Sequence, residues 1–369
     1  NSQWERAFGF APPALPLRES GNIYSGNSLQ LDWNRICPKT PEQEVYVIGN
    51  PPFLGTRERT ELQKADMLSV FNGFKTLGNL DYVACWFWKG AQYIQNTSSE
   101  LALVATNSLC QGEQVATLWP SIFNLGLKIK FAYPTFIWAN NARDKAAVHV
   151  IIVGLTSRSK LGKIYHEIGG EIHIQTVHNI SPYLIEGTNT TVQTRSKPHL
   201  KNTKIMVKGN QPTDDGNLLL NRSEREDLLN QEPLAEKWIK PILGADEFLN
   251  SKERWCLWLV NLSELDIKKA PNVFNRIQKV SEFRAKSTKL STRKKALTPH
   301  LFDEIRQPIS GSYILVPRHS SERRVYIPIG FYSHEVICSD ANLMIPDGTL
   351  FEFGIISSLL HNDWMRMIA

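Results

Sequence analysis

The sequence predicts a two-part α/β chain: a layer built on a mostly parallel sheet up to about residue 160, then a less regular α+β region over 161–369. Three observations carry this. Short apolar runs alternate with amphipathic stretches in the first part, as strand–helix units do. That alternation is lost in the second part. The chain has 369 residues, more than one ordinary domain needs.

In order, VYVIG (45–49) is a compact strand. Residues 81–95 form a helix that presents Val83, Phe87, Gly90 and Ile94 on one face. LALVAT (101–106) is a strand, 112–125 a helix, and 128–132 and 147–155 strands. Beyond lie a β-rich piece at 163–177 and a Ser/Thr-rich loop or linker at 187–198. A Gly/Asn/Asp turn stretch covers 209–217, charged helices start at 223 and cover 272–295, and strands are expected at 313–316 and 325–329.

Hydrophobic residues are 42% and charged residues 21%, as in a folded globular chain. The apolar stretch 148–155, interrupted by His149, is far short of the ~20 residues that span a membrane, and the N-terminus lacks a signal-peptide pattern. Cys37, Cys85, Cys110, Cys256 and Cys338 are scattered and never spaced as CxxC. This points away from disulfides and metal clusters and toward a reducing cytoplasm.

The net charge of +6 is local. Residues 271–295 hold eight basic side chains and one acidic, leaving 34 basic against 35 acidic elsewhere. Val273, Ile277 and Val280 share one helical face, with Lys279, Lys286, Lys289 and Arg293 roughly opposite. Pro271 could open this helix, and Pro299 lies just past its end. Such a segment suits a polyanion; a solvated basic face packed by its apolar stripe is the plain alternative. Arg318, Ser320, Ser321, Glu322, Arg323 and Arg324 form a second cluster between strand-like stretches. Arginine forks and serine hydroxyls suit phosphates or guanine edges, and Glu322 suits a cytosine amino group or a neighbouring arginine. An exposed hairpin loop is the plain alternative.

Asn50-Pro51-Pro52-Phe53 follows directly on VYVIG, and ligands of α/β sheets bind beyond the carboxyl ends of strands. The prolines stiffen the backbone and remove two donors. What remains is a rim of acceptors, the Asn50 side-chain oxygen and a proline carbonyl, which suits an amino group with two N–H bonds. Phe53 offers a ring face. The set fits an extrahelical adenine held by its N6 amino group, although Asn-Pro-Pro also makes ordinary turns.

Asn50-Pro51-Pro52-Phe53 resembles the (Asn/Asp/Ser)-Pro-Pro-(Tyr/Phe) motif of amino-methyltransferases. GNSLQLDW (26–33), VIGNPPFLG (47–55), LDYVACWFWKGAQYI (80–94), FIWANNARDKAAVHVIIVG (136–154), RWCLWL (254–259) and VPRHSSERRVYIPIGF (316–331) resemble, in order, the MmeI-like (type IIL) restriction-modification enzymes. The resemblance implies part of a Rossmann-like class I sheet of an N6-adenine DNA methyltransferase, then a target recognition domain. It implies S-adenosylmethionine as methyl donor and double-stranded DNA as partner. Asn50, Pro51 and Pro52 would hold the target amino group, with Phe53 and either Trp138 or Phe136 stacking on the flipped base. Asn27 and Asn50 would meet the cofactor.

The chain departs from that pattern in one respect. No two of its 22 glycines are separated by a single residue, so the strand–GxG–helix turn expected to cradle S-adenosylmethionine is missing. The expectation is therefore a fragment, inactive alone. No endonuclease core is legible either, since Asp266-Ile267-Lys268 is only a bare D-x-K triplet. A catalytically incomplete DNA-binding module and an amino-methyltransferase acting on RNA are the alternatives.

Overall fold

The computed structural model describes residues 9, 23–55, 58–74, 77–138, 148–158, 160–195, 198, 203–321 and 324–368. The chain divides into two compact units, Asn1–Thr194 with Met367–Ala369, and Arg195–Arg366. The division falls inside the Ser/Thr-rich stretch 187–198, because the strands just beyond 160 join the first sheet.

That sheet holds β1 (Tyr46–Gly49), β2 (Glu100–Thr106), β3 (Lys128–Trp138), β4 (Val148–Thr156), β5 (Gly162–Ile168) and β6 (Glu171–Val177), in the spatial order β1-β2-β4-β3-β5-β6. It is mixed, where the sequence suggested mostly parallel. β1/β2 and β3/β5 run parallel, whereas β2/β4, β3/β4 and β5/β6 are antiparallel. Connection length explains this. Only nine residues separate β3 from β4, too few for a parallel crossover, which takes a dozen or more. Gly169 and Gly170, at φ +62° and +86°, close the β5–β6 hairpin in a turn that needs two positive φ values.

β2 alternates half-buried and buried positions, and its inward Leu101, Leu103 and Ala105 sit in the main core. Helix Ala84–Ile94 adds Phe87, Ala91 and Ile94 to that core, and helix Glu113–Asn124 adds Leu118, Trp119 and Ile122. Gly90 permits close helix–strand contact: a Cβ there would lie 2.9 Å from the Leu101 methyls.

The second unit holds β7 (Val207–Lys208), β8 (Leu219–Leu220), β9 (Ile239–Leu243), β10 (Trp255–Leu257), β11 (Ser312–Pro317), β12 (Gly330–Ser333), β13 (Ile337–Cys338) and β14 (Asn342–Pro346). They form two four-stranded sheets, β13-β9-β10-β8 and β12-β11-β14-β7. Residues 325–329 are not a strand. The Ile327 N–H donates to Asn362 Oδ1 at 2.7 Å, so the side chain of a later helix satisfies backbone that would otherwise need a ladder.

The long basic helix is broken. Pro271–Ala285 is helical, residues 286–289 are not, and Leu290–Lys294 resumes. Arg293 braces the break by donating to the Ser287 and Thr288 carbonyls at 2.7 and 2.9 Å. Arg284 falls on the stripe of Val273, Ile277 and Val280 and is fully buried. Its guanidinium donates to five carbonyls, those of Pro212, Thr213, Lys295, Thr298 and Leu301, at 2.7–3.2 Å. Desolvation lowers its pKa below the ordinary value, opposed by the charges of Asp303 and Asp214.

Candidate functional site

The end of β1 carries the Asn-Pro-Pro-Phe segment. β1 has little inward surface; Tyr46 and Ile48 are exposed. Asn50 is exposed, and its side-chain amide makes no hydrogen bond among the described residues. It lines a cleft of about 820 Å³ together with Pro51, Pro52, Trp33, Tyr46, Ile48 and Trp86. Ser28 orients two of these walls, its carbonyl accepting from Trp33 Nε1 at 2.8 Å and its hydroxyl from Trp86 Nε1 at 2.9 Å. Pro51 is buried.

Beyond the prolines the chain is tied down. The Leu54 N–H donates to Asp81 Oδ1 at 2.9 Å, and the Leu54 carbonyl accepts from the Tyr82 N–H at 3.1 Å. Asp81 Oδ2 accepts from Thr106 Oγ1 at 2.9 Å, at the end of β2. Phe53 is half-buried and packs against the main core; it does not line the cleft with Asn50.

Strand register places the other aromatic candidates at the same edge of the sheet. Gly49 pairs with Leu103, Thr106 with Val150, and Val150 with Phe136. The carboxyl ends of β1, β2 and β3 therefore share an edge, with β3 three strand spacings, roughly 14 Å, from β1. Phe136 lines a second cleft of about 630 Å³, beside the stacked rings of Tyr133 and Tyr165, whose centroids are 4.5 Å apart. The Trp138 side chain lies outside the described residues.

Asn27 is occupied within the protein. Its Nδ2 donates to Asp66 at 2.9 Å and its Oδ1 accepts from the Leu29 N–H at 3.0 Å. Asp66 is buried and also accepts from Gln30 Nε2 at 2.9 Å and Tyr82 Oη at 2.7 Å. Burial acts to raise the Asp66 pKa, but the bonds from Gln30, Tyr82 and Asn27 outweigh it and hold the carboxyl below its ordinary range. Because its folded pKa is depressed, Asp66 contributes stability that is present above the ordinary aspartate pKa and is lost as pH falls through the folded value. Asp66→Asn is expected to cost about 2–3 kcal/mol at neutral pH. It should also flatten the acid limb of stability against pH, as read by urea denaturation across a pH series.

In the second unit Lys279, Lys286, Lys289 and Arg293 are all exposed, and among the described residues the three lysines make no ion pair. Arg284 and Arg276, counted in the same basic segment, instead turn inward. Arg276 pairs with Glu224 at 3.2 Å and donates to the Asn217 carbonyl at 3.1 Å. Arg318, Ser320, Ser321 and Arg324 are exposed on the connection between β11 and β12, with Arg318 near the Asp340 carbonyl and Arg324 near Ser320 Oγ, each at 3.4 Å. Glu322 and Arg323 lie outside the described residues. Asp266 of the D-x-K triplet accepts from Ser263 in a helix-capping box and pairs with Lys237 at 2.5 Å, a local structural use. Among the described residues no cluster of His, Cys, Asp or Glu suits a metal, and no helix is long and apolar enough to cross a membrane.

Sequence reasoning missed Asp66, Asp81 and Arg284. A signal existed for each: a charged side chain at a position where the surrounding pattern is apolar or helix-initiating.

Comparison with known proteins bears on both units. The profile of the MmeI DNA-methyltransferase domain matches residues 1–166, and that of the MmeI target recognition domain matches 186–369. The chain is 39% identical over 361 residues to DNA methyltransferase A of Bacillus subtilis (strain 168), covering 97% of this chain and 40% of that protein. The structure of the type IIL restriction-modification enzyme MmeI in complex with DNA superposes with a TM-score of 0.89 at 42% identity, over 100% of this chain and 49% of that one. The chain thus spans less than half the length of either relative.

Proposed function

This chain belongs to the MmeI-like restriction-modification family, spanning its DNA-methyltransferase and target recognition domains, and from that premise we propose that it holds a flipped adenine for N6 methylation and reads double-stranded DNA. The reading treats the first sheet as part of a Rossmann-like class I methyltransferase. The observation that carries it is the exposed Asn50 amide, without a partner among the described residues, at the carboxyl end of β1 beside a cleft.

Asn50 Oδ1 and the Pro51 carbonyl accept the two N–H bonds of the adenine amino group. This draws its nitrogen toward tetrahedral geometry and exposes the lone pair. Neither proline nitrogen carries a hydrogen that would compete for those oxygens. Eversion of a base costs a few kcal/mol of lost stacking; for Phe53 with Phe136 or Trp138 to return part of it by ring contact, the rings must rearrange on binding, since Phe53 packs against the core and Phe136 lines a separate cleft.

S-adenosylmethionine is the methyl donor this reading implies. The residues present do not form its cradle: no glycine pair has the GxG spacing, and both ends of the Asn27 amide are engaged by Asp66 and Leu29. Asn50 is the one assigned cofactor contact that remains open. The same lack favours, as a second reading for this chain alone, DNA binding without turnover.

Two measurements test the proposal. A protein of full family length carrying this chain is incubated with unmethylated bacterial genomic DNA and the donor, and the DNA is digested to nucleosides. N6-methyladenine is expected; methylcytosine as the product would contradict the assignment. For binding, Lys279, Lys286 and Lys289 are changed together to alanine. Affinity should fall alike for all duplex sequences, and the slope of log affinity against log salt should flatten by roughly 2.7 if each lysine meets one phosphate. An unchanged slope removes the basic face from the DNA interface.

A further inference from the structure

We infer that Asp81 is a positioning residue that sets the place of Asn50–Phe53 relative to the end of β2, an inference resting on the reading of Asn50 as the base-holding group. Its carboxylate is buried, at 6% exposure, and among the described residues forms no ion pair. A buried charge without a counter-charge is costly unless hydrogen bonds hold it. Here they come from three directions. Oδ1 accepts from the Leu54 N–H at 2.9 Å and, more weakly, from the Val83 N–H at 3.4 Å; Oδ2 accepts from Thr106 Oγ1 at 2.9 Å. The Asp81 N–H itself donates to Gln114 Oε1 at 2.9 Å, which fixes the residue to helix Glu113–Asn124.

One carboxylate therefore joins the exit of the Asn-Pro-Pro-Phe segment, the start of helix Ala84–Ile94 and the carboxyl end of the neighbouring parallel strand. The segment has few other ties. Among the described residues its two prolines donate nothing, the Asn50 amide is unbonded, and the Leu54 peptide makes its first backbone hydrogen bond after β1. Displacement of an acceptor pair by 1 Å is enough to lose much of an oriented contact, so the anchor's stiffness bears directly on the amino-group grip. Asp81 touches no substrate in this scheme; it acts through Leu54.

The test combines amide exchange on this chain with steady-state methylation of genomic DNA by a protein of full family length carrying it. In Asp81→Ala the Leu54 N–H should exchange about 100-fold faster, the factor of one lost charge-assisted hydrogen bond, while Leu103 in β2 stays protected. In the same variant kcat should fall at least about tenfold with the KM for DNA unchanged. Asp81→Asn keeps an acceptor for Leu54 and should restore most of kcat. Thr106→Val, which leaves the Leu54 bond in place, should lie between and guards against an alanine variant that does not fold. Unchanged Leu54 exchange in Asp81→Ala, or unchanged kcat in a protein where Asn50 is essential, overturns the inference. If Leu54 responds to Asp81 but Asn50→Ala still methylates at the full rate, the tether stands and the base-holding reading falls.

Discussion

Asn50→Ala in a protein of full family length is expected to lower methyl transfer about 10²–10³-fold, the usual cost of removing one oriented group from the reacting centre. The side chain is exposed and bonds to nothing described, so its removal leaves no buried donor unsatisfied and stability should shift by less than about 0.5 kcal/mol. DNA affinity, which rests on phosphate contacts, should be nearly unchanged. The separation is the point of the experiment: a loss of rate with stability and duplex binding intact places Asn50 at the chemistry. Retained methylation would remove it. Phe53→Ala is a weaker discriminator, because that ring also packs against the core and its loss carries a stability cost of its own.

Arg284→Met is expected to destabilise the second unit by about 3–5 kcal/mol, since it strands carbonyls that a buried cation had satisfied. That corresponds to a fall in Tm of roughly 10 °C for a unit of this size. Arg284→Lys should not rescue it, because a single ammonium cannot reach five acceptors spread over Pro212, Thr213, Lys295, Thr298 and Leu301. Thermal and urea unfolding read the effect. A change below about 1 kcal/mol would show that the carbonyls find water or other partners. Because two of the acceptors belong to 295–298, the same variant should also loosen the segment that follows the exposed lysines.

Local pattern made much of the first sheet legible. VYVIG and LALVAT became β1 and β2 because they are short apolar runs, too short for a buried helix, and the apolar positions of 81–95 recur at helical spacing, as Ala84–Ile94 shows. Strand direction was not legible from composition; it followed from the nine-residue β3–β4 connection and the Gly169-Gly170 turn. The basic segment misled in part. A count of charges treats every arginine alike, and nothing in that count separates Arg284, on the apolar stripe, from Lys279 on the exposed face. Residues 325–329 have the β-branched and aromatic composition of a strand, yet long-range partners, Asn362 to Ile327 and Arg366 to the carbonyls of Arg324 and Val325, take their backbone groups. At the site, the structure leaves Asn50 exposed beside a cleft, and the position of Asn50-Pro51-Pro52 directly after a strand was visible in the sequence. The Asn27–Asp66 bond was not, since it joins residues 39 apart whose pairing no local rule specifies.

The most direct measurement is a crystal structure of a full-length family protein carrying this chain, bound to a duplex that contains its methylated site. An adenine is expected outside the helix with N6 between 2.7 and 3.2 Å from both Asn50 Oδ1 and the Pro51 carbonyl oxygen, the ordinary hydrogen-bond range. An adenine still stacked in the duplex, or one everted but held by other residues while the Asn50 amide bonds elsewhere, would contradict it.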